Sequence, residues 1–229
     1  MRLAASLLPL VAVHGFAMKG IVFGGDEWSP PGTGFGSASS SASLSALAAT
    51  GATHVRVLTT AYQQFINSTE IFSIPPPSPL ASTPLEALRG AVREAHALNL
   101  SVLLAPILDP NWDVAQNGRS ITPPAGAAAV SRLQIGANFT DAMWTAWFAS
   151  YTAWLLPLAR LATEEGVATF EVASELDVAL TSRAAQWRVL IAAVRAVYAG
   201  PLVIAANSGT LRSIEFWDAL DFVGVDACE

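Results

Sequence analysis

Glu175 closes the run TFEVASE, residues 169–175, in which apolar and small residues lead up to a carboxylate. A strand built for burial that ends on an acid offers that acid to something beyond the sheet. The small residues Ala173 and Ser174 come just before it and leave room for a ligand at its side. Other residues with chemistry to offer fall in loops or at the ends of strand-like runs. Asp109, Arg119, Asn207 and Asp226 could bond hydroxyl groups, and Trp28, Tyr62 and Trp112 carry flat rings that could stack on sugar faces. Arg56 lies inside a strand-like run, where it would orient a carboxylate if it points inward, or meet a helix dipole or an acid if it points outward. Each also has a plainer reading. Glu175 could pair with Arg183 or Arg188, loop tryptophans could cover core edges, and Asn207 could cap the following helix.

The elements that must position these residues alternate regularly. The strand candidates are KGIVFGG, THVRVLTT, LSVLLAPILD, TFEVASEL, PLVIAANS and FVGVDACE, mostly continuous apolar runs of the kind covered on both faces in a parallel sheet. Helical patterns separate them. One opens at STPLEALRGAV, where Thr83, Pro84 and Glu86 predict an N-cap, a first-turn proline and a capping-box acid. Another places Trp187, Leu190, Ile191, Val194 and Tyr198 on one face. This βαβα order predicts an α/β fold with a parallel sheet, closed as a barrel or open and doubly wound. Turns from helix into strand are short, whereas the loops after the first three strands are long. Long loops gathered at the C-terminal ends of strands mark the face on which barrel enzymes build their sites. A dinucleotide fingerprint does not fit, because the third glycine after Gly32 and Gly34 would fall on Ser37.

Composition narrows the function classes. Of 229 residues, 52% are hydrophobic and 13% charged, with a net charge of −6, which argues against disorder and against a nucleic-acid partner. Lys19, the only lysine, starts the first strand, a poor position for Schiff-base chemistry. His14, His54 and His96 lack ligand-like spacing, so neither a metal nor another cofactor is expected, although a calcium site of loop carboxylates stays open. Arg2, the apolar run Leu3–Val13 and Gly15-Phe16-Ala17 predict a secretory signal over residues 1–17, with the mature domain at 18–229. That apolar run is too short to span a membrane. Asn67, Asn99 and Asn138 each begin a glycosylation sequon. Cys228 is the sole cysteine and has no partner for a disulfide within the chain. The uncharged stretch 143–159 reads as an amphipathic core helix, because Trp144, Trp147, Phe148, Tyr151, Leu155 and Leu158 recur at helical spacing.

The segments KGIVFGG, LAATGATHVRVLTTAYQQ, AVREAHALNLSVLLAPILD, WTAWFASYTAWLLPLARLATEEGVATFEVASEL, WRVLIAAVRAVYAGPLVIAAN and IEFWDALDFVGVDA occur in order along the chain. Together they resemble glycoside hydrolase family 113, the β-mannanase-like branch of the retaining (β/α)8 hydrolases. The resemblance implies an incomplete (β/α)8 TIM barrel of about six βα units, with an oligo- or polysaccharide as its partner. It also implies that Glu175 is the general acid/base. In retaining enzymes the nucleophilic carboxylate stands about 5–5.5 Å from the acid/base. The family carries it at the end of the seventh strand, which lies beyond Glu229, so the chain is expected to be a fragment that lacks its last two βα units. Glu229 itself falls on the sixth strand, where the family has no nucleophile. The family's lysine before the third-strand proline is Ala105 here, and its Gly-Thr-Glu is Ala173-Ser174-Glu175. Its tryptophan before the NGRSI motif is absent, and Cys228 replaces an aromatic. These changes imply altered sugar contacts. The alternative is a catalytically silent carbohydrate-binding barrel or a non-functional fragment.

Overall fold

The computed structural model describes residues 18–25, 30, 32–76, 78, 81–110 and 131–226. Six strands, β1 (Gly20–Phe23), β2 (His54–Gln63), β3 (Ser101–Pro110), β4 (Thr169–Ser174), β5 (Leu202–Asn207) and β6 (Phe222–Asp226), form one sheet in chain order. Every neighbouring pair is parallel. A doubly wound sheet would reverse its strand order part-way, whereas the wall of a barrel does not. Strand order therefore selects the barrel, and the sheet is a curled half-barrel. Among the described residues five α-helices accompany it: α1 (Ala38–Ala49), α2 (Leu85–Ala97), α3 (Asp141–Glu164), α4 (Asp177–Ser182) and α5 (Ala184–Arg195).

Side chains alternate across the sheet, as the strand period of two requires. Val55, Val57, Val102, Leu104, Phe170, Val172, Leu202, Ile204 and Ala206 face the helices and join the apolar core. Arg56, Leu103 and Glu171 alternate with them and face the inside of the half-barrel. On α3 all six side chains chosen by spacing are buried. Trp147 stacks on Tyr151 at 4.8 Å and Trp187 stacks on Phe216 at 5.7 Å, and the same cluster includes Trp144 and Phe148. The two fully buried indoles each find an acceptor: Trp147 Nε1 donates to Gln63 Oε1 (2.9 Å) and Trp187 Nε1 donates to the Ala179 carbonyl (2.8 Å). Among the described residues no helix is long and apolar enough to cross a membrane.

Two local expectations differ from the structure. Helix α2 begins at Leu85 with Pro84 at the N-cap, which has no side-chain acceptor to cap with, so Glu86 falls at the second helical position and not the third that a capping box uses. Strand β2 runs three residues further than the apolar pattern implied, to Gln63. The extension is held by an antiparallel bridge in which Tyr62 and Phe72 exchange backbone hydrogen bonds of 2.8 Å.

Candidate active site

Strand β4 carries the chemistry, and a break in its register aims it. Glu171 pairs with Val203, but the next pairing is Ala173 with Ile204, so Val172 is an extra, bulged residue. The Val172 carbonyl accepts a hydrogen bond from the Tyr151 hydroxyl of α3 (2.9 Å). A bulge shifts the phase of the strand, so Glu171 and Ser174, three residues apart, face the same side. Both meet Arg56, which reaches across β3 from β2. Its Nε donates to Glu171 Oε2 (2.9 Å), and its Nη2 donates to Glu171 Oε1 (2.7 Å) and to Ser174 Oγ (3.1 Å). Burial pushes the Glu171 carboxyl above its ordinary range, while the bonds and charge of Arg56 pull against that and Asp226 adds to it.

Glu175 follows directly at the C-terminal mouth of β4. Its φ of 53° lies in the left-handed region that disfavours a residue with a Cβ. Its N–H donates to the Ala205 carbonyl of β5 (2.8 Å), which pins the turn. The side chain remains about a quarter exposed and accepts at Oε2 from Arg132 Nη1 (2.8 Å). Arg132 also closes a fork on Asp109 at the end of β3, donating through Nε to Oδ1 (2.7 Å) and through Nη2 to Oδ2 (3.1 Å). Burial works to lower the affinity of Arg132 for its proton. Asp109 and then Glu175 outweigh it, so the guanidinium is a firm cation. Arg132 stands on a 3-10 turn, Arg132–Gln134, which is capped by Ser131 and packs against α4. The same loop is anchored where the Gly136 N–H donates to the Ile66 carbonyl (3.0 Å). At φ 95°, Gly136 lies so close to the Trp144 ring that an added Cβ would come within 2.3 Å of it.

The structure brings Glu175, Asp109 and Arg56 to one side of the sheet and redefines several partners. Arg183 pairs with Asp141 and Arg188 with Asp218, so neither is the partner of Glu175. Asn207 does not cap a helix. Its amide donates to Asp177 Oδ1 (3.0 Å), tying the end of β5 to the first turn of α4, and burial raises the Asp177 carboxyl. Asp226 lies opposite Asn207 in the β5–β6 register, and its charge acts on both Arg56 and Glu171. Tyr62 is a correction. It sits beside Asp109 in register but is only 5% exposed, so its ring is packed and offers little face for stacking. Trp28, Trp112, Arg119, Cys228, Glu229 and the segment 1–17 lie outside the described residues. Among the described residues no group of three or more His, Cys, Asp or Glu side chains could hold a metal.

Sequence reasoning missed Arg132, Glu171 and the hydroxyl of Ser174. Glu171 had a signal, being the one charge inside the apolar run of β4, just as Arg56 is the one charge inside that of β2. The two are natural partners once β2 and β4 flank β3.

The model of Glycoside Hydrolase Family 113 matches residues 27–228. The chain belongs to glycoside hydrolase family 113. Its fold is similar to that of a GH113 β-mannanase from Alicyclobacillus acidocaldarius, solved in complex with ManMIm. The TM-score is 0.74 at 26% identity, over 92% of this chain and 61% of that one. A GH113 β-1,4-mannanase solved as a complex gives 0.72 at 25% identity, over 92% and 62%. The family 113 chain described here therefore spans about three-fifths of the length of these enzymes. No curated protein matches it.

Proposed function

We propose that this family 113 chain is part of a secreted retaining glycoside hydrolase that cleaves β-mannan or a related neutral β-glycan. Glu175 is its general acid/base. It protonates the departing glycosidic oxygen as the sugar–oxygen bond breaks, and afterwards takes a proton from the water that attacks the glycosyl-enzyme. The nucleophilic carboxylate comes from the part of the polypeptide corresponding to the two-fifths of the mannanases that this chain does not span. The reading rests on the family match over residues 27–228, within which Glu175 closes β4 on the concave side of the half-barrel.

Charge supports a neutral substrate. Among the described residues, Asp109, Glu171, Glu175 and Asp226 gather around Arg56 and Arg132, so carboxylates outnumber guanidiniums there and favour a neutral sugar over a uronic acid. Trp28 and Trp112 stack on sugar rings. Arg119, Asn207, Asp226 and the second lone pairs of Asp109 bond hydroxyls. The test compares the full-length protein with its Glu175→Gln variant on mannohexaose and on a β-1,4-linked oligomannuronate. The expected result is cleavage of mannohexaose only, lowered by about 10²-fold or more in the variant. Equal rates for the two proteins would remove Glu175 from the mechanism.

A further inference from the structure

Arg132 stands between two carboxylates, and its bonding is asymmetric. Asp109 takes two parallel bonds from the guanidinium, which fix its plane, and a single bond from Nη1 then reaches Glu175 Oε2. Among the described residues, Glu175 Oε1 accepts no hydrogen bond. Arg132, Asp109 and Glu175 side chains keep only about a fifth to a quarter of their surface exposed, so the cost of taking their charges out of water offsets much of their attraction. Their geometry is well suited to a different task. A glutamate in the left-handed region at the end of a strand has χ freedom that the backbone does not remove, and a braced guanidinium removes it.

We propose that Arg132 is a positioning residue: braced by Asp109, it holds Glu175 by Oε2, so that Oε1 is the oxygen presented to the glycosidic oxygen. This rests on the reading of Glu175 as acid/base. The proton transferred when the sugar–oxygen bond breaks leaves from Oε1, and the proton taken from water returns there. Oε2 stays bound to Nη1 throughout. Lysine, a single-point donor without the fork, would keep the charge and lose the aim.

The experiment uses the full-length protein and two substrates, mannohexaose and 2,4-dinitrophenyl β-mannoside, whose leaving group needs no proton. Arg132→Lys, Arg132→Gln and Glu175→Gln are compared by kcat/KM, with thermal melts as a check on folding. A misplacement of about 1 Å costs up to about 10²-fold. Both Arg132 variants are therefore expected to lose about 10- to 100-fold on mannohexaose, mainly in kcat, and to stay within about threefold of wild type on the aryl mannoside. If Arg132→Gln does not fold, Arg132→Lys carries the same comparison alone. Equal losses on both substrates, or no loss on either, would overturn the proposal while leaving Glu175 in place, provided Glu175→Gln still discriminates between them. If Glu175→Gln does not discriminate, or the wild type turns over neither substrate, both the proposal and the reading beneath it fail.

Discussion

Removing Arg56 should destabilise the protein more than removing its partner, and acid should relieve the loss. Glu171 is 2% exposed and Arg56 24% exposed, with two bonds of 2.7 and 2.9 Å between them. Arg56→Met strands a buried carboxylate, which costs about 3–5 kcal/mol when a buried pair is broken. Glu171→Gln leaves Arg56 with Ser174, the charge of Asp226 and access to water, so the cost falls to about 1–2 kcal/mol. Burial already raises the Glu171 carboxyl against the pull of Arg56, so losing Arg56 raises it further. Between the unfolded value, about 4.3, and that higher folded value, the folded state binds a proton that the unfolded state releases. Stability of Arg56→Met therefore increases as pH falls through that window. Urea denaturation of the full-length variants at pH 7.5 and pH 5 reads both effects, and Arg56→Met/Glu171→Leu should recover most of the loss. If Glu171→Gln costs as much as Arg56→Met, or if the Arg56→Met penalty is the same at both pH values, the asymmetry drawn from burial is wrong.

Three further outcomes are expected. Tyr151→Phe removes the donor to the bulged Val172 carbonyl and should cost about 1–3 kcal/mol in a denaturant melt, with a loss of activity as the phase of β4 loosens. The Asp221 carboxyl is held low by the Leu202 N–H, with Arg195 assisting, so its contribution is complete above about pH 4 and is lost as pH falls through its folded value. Asp221→Asn should therefore flatten the acid limb of a plot of Tm against pH, and an unchanged limb would refute that assignment. Glu175→Gly should abolish turnover yet melt no lower than wild type, because glycine relieves a left-handed backbone worth about 1 kcal/mol or more.

Much of the scaffold was legible because burial writes a periodic code. All six strand runs became strands, and the apolar faces of α3 and α5 are the buried faces. Glu175 was legible for the same reason, as an acid that ends an apolar run. Arg56 was half legible: its position was clear, but the side it faced depended on the phase of its strand. Arg132 was not legible, because it follows a long loop and nothing within SRLQIGAN distinguishes it from a solvated arginine. Its role depends on a tertiary meeting of β3, α4 and the end of β4. The bulge at Val172 was equally hidden, since it is set by Tyr151 on another element rather than by any glycine in the strand. The expected cap at Thr83 failed by one residue, because Pro84 took the N-cap position instead.

In the proposed mechanism Glu175 supplies and recovers the proton of a retaining displacement. The most direct test is to give Glu175→Ala in the full-length protein the dinitrophenyl mannoside together with azide. With no base to activate water, the glycosyl-enzyme should accumulate until azide, entering the space left by the carboxylate, attacks it. Turnover should rise with azide concentration and yield β-mannosyl azide, the retained product. A rate indifferent to azide, or an α-configured product, would contradict the account.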